Sequence, residues 1–239
     1  MGDTGVRNGA TGMGEAFDGF RPEAISFLEG LRENNNRVWF ESHKNDYERY
    51  VLEPTRSFAE DMADRLTALV GLVGGGIKGS PFRIYRDIRF SKDKSPYKTH
   101  IGVPFGAAGR GKVEGPGFYF HLEPPTVMLG GGMHEFTPAT LAKYRDAAVD
   151  AREGEALRAV VDGVLRGGYE LWGKGYKRVP RGYDPDHPNA DLLLYRGLFA
   201  GLTVAIPEEL FSSALLDWCE DHYRATYPLE AWLERVVMG

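Results

Sequence analysis

Apolar positions recur first at helical spacing and then switch to alternation. In "RPEAISFLEGLREN", Ile25, Phe27, Leu28 and Leu31 supply one apolar side and Pro22 sits near the start, which predicts a first helix. "NNNRVWFESHKNDYERYVLEP" opens in a turn and enters a second helix, with Trp39, Phe40, Tyr47 and Val51 near helical spacing, and Pro54 is expected to end or kink it. "TRSFAEDMADRLTALV" follows as an amphipathic helix carrying Phe58, Met62, Leu66, Leu69 and Val70 on one stripe. "GLVGGGIKGSP" reads as a flexible break.

The middle of the chain has period two. "FRIYRDIRF", "THIGVPFG" and "GFYFHLE" alternate, and "TVMLGGGMHEF" reads as a fourth strand. Short strands joined by Gly/Pro turns predict an antiparallel meander. Helices follow in "TPATLAKYRDAAVD", with Thr137 as cap and Pro138 in the first turn, and in "EGEALRAVVDGVLRGG". "LWGKGYKRVPRGYDPDHP" reads as a loop, "NADLLLYRG" as a short helix and "LFAGLTVAI" as a strand. "PEELFSSALLDWCEDHYRATY" and "PLEAWLERVV" are read as two closing helices. The predicted class is α+β, a central, mainly antiparallel sheet with helices packed against it.

Composition narrows this further. At 239 residues and 42% hydrophobic, the chain can build a sizeable core, and residues 19–239 are read as a single domain behind a Gly-rich flexible tail at 1–18. The net charge of −5 argues against a general nucleic-acid coat protein. Cys219 is the one cysteine and falls in a helix-like apolar run, so it is read as a packed core thiol in a reducing, cytoplasmic setting. No apolar run is long enough to span a membrane, and the N-terminus lacks a secretory pattern.

Against this acidic background, "RIYRDIRFSKDKSPYK" carries a local charge of +4. On a strand, Phe82, Ile84, Arg86, Ile88 and Phe90 would share one face, and Arg83, Tyr85, Asp87 and Arg89 the other. Arg86 on the apolar face must find a carboxylate, backbone carbonyls or a bound anion, because an unpaired buried charge costs several kcal/mol. Lys92, Lys94 and Lys98 add point charges on the following turn, and the set suits a phosphate or polyanion.

The segment "FRIYRDIRFSKDKSPYKTHIGVPF" resembles the signature of domain-of-unknown-function 2461, a family of uncharacterised bacterial and fungal proteins. "LRENNNRVWFESHKNDYE", "GPGFYFHLEP" and "YKRVPRGYDPDHPNADLL" resemble further segments of it, over roughly residues 17 to 235. The resemblance implies one domain and the grouping of these segments, and no activity or substrate.

Other groups join the candidates. Lys177 and Arg181 could complete an anion pocket begun by the Arg83 segment. Asp184, Asp186 and His187 could hold a metal or move a proton, although turn structure and helix capping account for them as well. By alternation His121 shares a face with Tyr119 and Glu123, opposite Phe118, Phe120 and Leu122, and a neighbouring strand could bring it near Arg83, Tyr85 and Asp87. His100, His121 and His134, from separate strands, could bind zinc, but no local spacing demands it, and no metal is expected. Gly131 and Gly132 could let backbone N–H groups approach an anion, although a tight turn or bulge is the plainer reading.

The resulting expectation is a cationic pocket for a phosphorylated small molecule or nucleotide. If the protein is an enzyme, a phosphate-ester hydrolase or transferase leads, with Asp87, His121 and Asp186 as proton-transfer candidates and Arg83, Arg86, Arg89, Lys92, Lys94, Lys98, Lys177 and Arg181 as ligand-binding residues. The cofactor is left open, and no membrane partner is expected. Two alternatives stand beside it. One is a single-stranded nucleic-acid module using Tyr85, Tyr97 and Tyr119 for stacking. The other is a structural protein in which the charges form an internal ion-pair lattice.

Overall fold

A computed structural model describes residues 16–71, 76–111 and 114–239. The predicted tail falls outside the described residues up to residue 15, and so does much of the predicted break, at 72–75. Phe17, placed in the tail by its sequence, is instead a core residue: it is buried and packs edge-on against Phe20 and Phe58.

The helices are α1 (Pro22–Glu33), α2 (Arg37–Ser42), the single turn α3 (Lys44–Asp46), α4 (Glu53–Val70), α5 (Pro138–Val149), α6 (Ala151–Arg166) and α7 (Ala214–Leu233). Side-chain caps start three of them. Asn36 accepts from the Trp39 amide, Thr137 from that of Thr140, and Asp150 from those of Arg152 and Glu153. Pro54 does not end the second helical stretch. A π-helical segment at Tyr47–Leu52 leads directly into α4, which has Pro54 in its first turn. The wider turn is one of the ways a helix makes room for a proline. Pro228 likewise fails to split the last helix: α7 runs through it. Leu215, Cys219 and Tyr223 before the proline are buried in one core, and Leu229, Trp232 and Leu233 after it in another. Burial on both sides outweighs the roughly 3 kcal/mol an internal proline costs.

The strands are β1 (Ile77–Gly79), β2 (Ile101–Ala107), β3 (Gly117–Glu123), β4 (Thr126–Met133), β5 (Glu170–Lys174) and β6 (Tyr195–Ala205). They form one antiparallel sheet in the order β1-β2-β3-β4-β6-β5, so the chain is α+β as its pattern predicts. Three local readings change. "FRIYRDIRF" is not a ladder strand. It runs extended beside β2, held by Ser80 N–H to Pro104 O and Phe82 N–H to Gly102 O, and then folds back on itself through one bridge between Tyr85 and Tyr97. The alternation of this segment reflects a side packed on the core, where Ile84 is buried, while Phe90 is 95% exposed. "LWGK", read as loop, is part of edge strand β5. "NADLLLYRG" is a short 3-10 turn at Leu192–Leu194 followed directly by β6, because the apolar run from Leu198 is drawn into the sheet.

Helices cover one face of the sheet. On β3, Phe118, Phe120 and Leu122 are buried toward them while Gly117, Tyr119, His121 and Glu123 are only partly covered. Phe120, fully buried, lies 4.7 Å from the Phe58 ring and stacks parallel to Phe20. Cys219 is also fully buried. Among the described residues, no helix is long and apolar enough to cross a membrane.

Phe120→Ala should remove about 3–5 kcal/mol of stability, measured by urea unfolding. A second expectation concerns Glu230 on α7. Burial, reinforced by the charge of Glu234 and opposed by that of Arg110, pushes its carboxyl up to about 7. The unfolded chain loses this proton near the model-peptide range while the folded chain holds it, so stability should fall as pH rises from about 4.5 to about 7. The difference in Tm between wild type and Glu230→Gln, followed across that window, should show this slope and flatten above it.

Candidate functional site

The uncovered face of the sheet holds the site. Along β3 the outward positions are Gly117, Tyr119, His121 and Glu123. Their partners are Gly132, Gly130, Met128 and Thr126 on β4, and Gly106, Pro104 and Gly102 on β2. So many glycines leave the middle of this face without side chains. The result is a trough of about 380 Å³, within the range of small-molecule sites. Phe82 and Tyr119 line one side of it, Trp172 and Phe199 the other. The Trp172 and Phe199 rings stack at 5.8 Å with an interplanar angle of 8°. Gly201 is required for this, since a Cβ there would lie 2.2 Å from the Trp172 ring.

Next to the trough, past Tyr119, the outward row of β3 is polar. His121 sits between Met128 and Gly102 across the strands, and Phe82 is bonded to that same Gly102. Tyr119, one outward position back, contacts His121 Nδ1 through its hydroxyl at 3.2 Å. His121 Nε2 faces Glu123 Oε2 at 3.4 Å, and Thr99 donates to Glu123 Oε1 at 3.1 Å. Between β2 and β3 the register brings His100 alongside, with its ring centroid 4.4 Å from that of His121. Burial lowers the pKa of both imidazoles. That of His100 falls to about 4, helped by the positive charges of His121, Lys98 and Arg86 and opposed by Glu123. Burial also pushes the Tyr119 hydroxyl up to about 12. For Glu123, burial acts upward, but hydrogen bonds from Thr99 and His121 outweigh it and hold the carboxyl below its ordinary value. The two rings are therefore neutral and the carboxylate charged at neutral pH.

The expected cationic residues are largely engaged with their own segment. Arg86 finds the Asp93 carboxylate and the Ser95 carbonyl, the latter at 3.2 Å. Arg89 forks onto Asp87, both of them exposed. Lys94 donates to Ile88 O, and Lys98 donates to Arg83 O while lying over the Phe82 ring. Arg83, Tyr85 and Asp87 all face solvent, so the neighbour that reaches His121 is His100 and not that face. Tyr97 is 2% exposed and stacks on Phe40, which leaves Tyr119 as the member of the expected tyrosine set that lines the trough. Lys92 is exposed on the turn.

Lys177 and Arg181 are exposed beyond β5, on the opposite edge of the sheet from the Arg83 segment. Four strand spacings, about 19 Å, separate β5 from β2. The structure does not bring these two groups together. Asp184, Asp186 and His187 form a turn in which Asp184 accepts from the Asp186 amide and His187 Nδ1 from the Asn189 amide. Gly131 and Gly132 lie within β4, where a Cβ on Gly132 would strike the backbone of β6. His134 is exposed at the trough's edge.

Alternation in "GFYFHLE" already put Tyr119, His121 and Glu123 on one face, but not Glu123 as a site residue. Its pairing with His100 depends on register, which no local pattern carries. The wall formed by Trp172 and Phe199 depends on a strand that read as loop.

The family described as Conserved hypothetical protein (DUF2461) matches residues 23–232, most of the chain. No curated protein matches it.

Gly201→Val should drive the Trp172 ring out of the trough. The expected result is a red-shifted Trp172 emission, taken as the difference from the same backgrounds carrying Trp172→Phe, with far-UV circular dichroism retained.

Proposed function

The chain belongs to the DUF2461 family, and from its own site we propose that it binds a phosphorylated small molecule of the nucleotide kind in the trough and acts on it as a phosphate-ester hydrolase or transferase. One observation carries this reading: the outward row of β3 joins an aromatic-walled trough directly to an imidazole–carboxylate group. Trp172, Phe199, Tyr119 and Phe82 offer flat apolar surfaces for a ring. Lys98 and Arg86, close enough to depress His100, make that end the one suited to an anion. Lys92, Lys94, Arg83 and Arg89 extend the positive field on the same side. Of the proton-transfer candidates, His121 stands beside the trough-lining Tyr119 on the outward row of β3, while Asp87 is held by Arg89 and Asp186 lies in the far turn. A positioned acid or base of this kind contributes about 10²–10⁴-fold. We place the activity in the cytoplasm, where the buried thiol of Cys219 stays reduced.

A second reading draws on the same aromatic residues, since an open sheet face with outward rings also suits the bases of a single-stranded nucleic acid.

Calorimetric titration with nucleoside monophosphates, sugar phosphates and short oligonucleotides tests both. The expected result is binding of the ring-bearing phosphates. Trp172→Ala should weaken it by the loss of stacking, about 1–3 kcal/mol or roughly 5- to 150-fold, and Lys98→Ala should weaken it further. Oligonucleotide binding with a steep salt dependence and no mononucleotide binding would replace this reading with the second. Ligand binding indifferent to Trp172→Ala and Lys98→Ala would overturn both.

A further inference from the structure

We infer that His100, His121 and Glu123 form a binding site for a divalent transition-metal ion of the zinc type. One ligand atom from each residue lies within 4.8 Å of the others, and all three residues are half-buried, His121 and Glu123 on the uncovered face of β3 and His100 immediately before β2. Two imidazole nitrogens and one carboxylate oxygen are a donor set that such ions accept, and three protein ligands leave a coordination position open. Hard cations that favour all-oxygen ligation fit the set poorly.

The spacing suits the ion. Two donors each about 2.1 Å from a tetrahedral centre lie about 3.4 Å apart. His121 Nε2 and Glu123 Oε2 are 3.4 Å apart. His100 closes the triangle from the position just before β2, and among the described residues its ring makes no hydrogen bond that would have to be broken first.

The surrounding groups orient the donors as they do in metal sites. Tyr119 occupies Nδ1 of His121 and so leaves Nε2 aimed at Glu123. Thr99 occupies Oε1 of Glu123 and leaves Oε2 aimed at His121. Outer partners of this kind fix ring orientation and carboxylate direction, and losing one typically costs 10–100-fold in metal affinity.

This inference deepens the proposed function, makes His121 a ligand in place of the proton-transfer group, and rests on that function only for what the ion would act on. Binding of the ion itself needs no substrate, so either can fail without the other. The test is titration of the untagged, chelator-stripped full chain with Co²⁺, read by its visible d–d absorption, and with Zn²⁺, read by calorimetry. The expected result is one ion per chain. Affinity should fall at least tenfold in His121→Ala and in His100→Ala, and about 10–100-fold in Tyr119→Phe. His134→Ala, an exposed histidine outside the cluster, should bind as wild type does. Circular dichroism establishes that each variant is folded. Absence of stoichiometric binding by the wild-type chain, or undiminished binding by a folded His100→Ala/His121→Ala double variant, would overturn the inference and leave the trough reading intact.

Discussion

One-sided burial of the central sheet is the constraint on which the rest depends. Helices α4 and α7 pack on a single face, and residues of β3 alternate between it and the uncovered face. Phe118, Phe120 and Leu122 tie the sheet to the helices, while Tyr119, His121 and Glu123 project away from them. A shift of one residue in this strand would bury the polar row and expose the phenylalanines, so the register of the core and the position of the site are the same physical quantity. Burial of Phe120 between Phe20 and Phe58 therefore holds His121 in place as surely as any hydrogen bond does.

The uncovered face would be an ordinary flat sheet if its middle carried side chains. Glycines along β3, β4 and β6 remove them, and Phe82, Tyr119, Trp172 and Phe199 stand around the gap. Glycine weakens a strand interior through backbone entropy and lost packing. Here that cost is offset by long antiparallel ladders on both sides and by the helices beneath. The trough is thus an outcome of sheet stability in excess of what the strands alone supply.

The charged segment from Arg83 to Lys98 plays two roles at once. Its cations satisfy local carboxylates and carbonyls, and the exposed pair of Arg89 with Asp87 contributes little to stability. Its fold also buries Ile84 and Tyr97 in the main core and sets Phe82 and Lys98 beside the sheet face. The positive field that reaches His100 comes from this architecture, without any cation having to give up its structural partner.

Local periodicity and side-chain chemistry carry the fold class, the cap at Thr137, the bounds of β3 and the division of its residues between two faces. The sequence by itself also determined that Arg86 needs an oxygen partner. Proline placement misled at Pro228, where burial on both sides of the proline outweighs its local cost. Tertiary structure alone decided that His100 lies against His121, that Glu123 belongs to the site, and that Lys177 and Arg181 lie on the far edge of the sheet. Each of these depends on strand register and strand order, which are set by long-range pairing and by the sum of the core's contacts, and no stretch of sequence carries that information by itself.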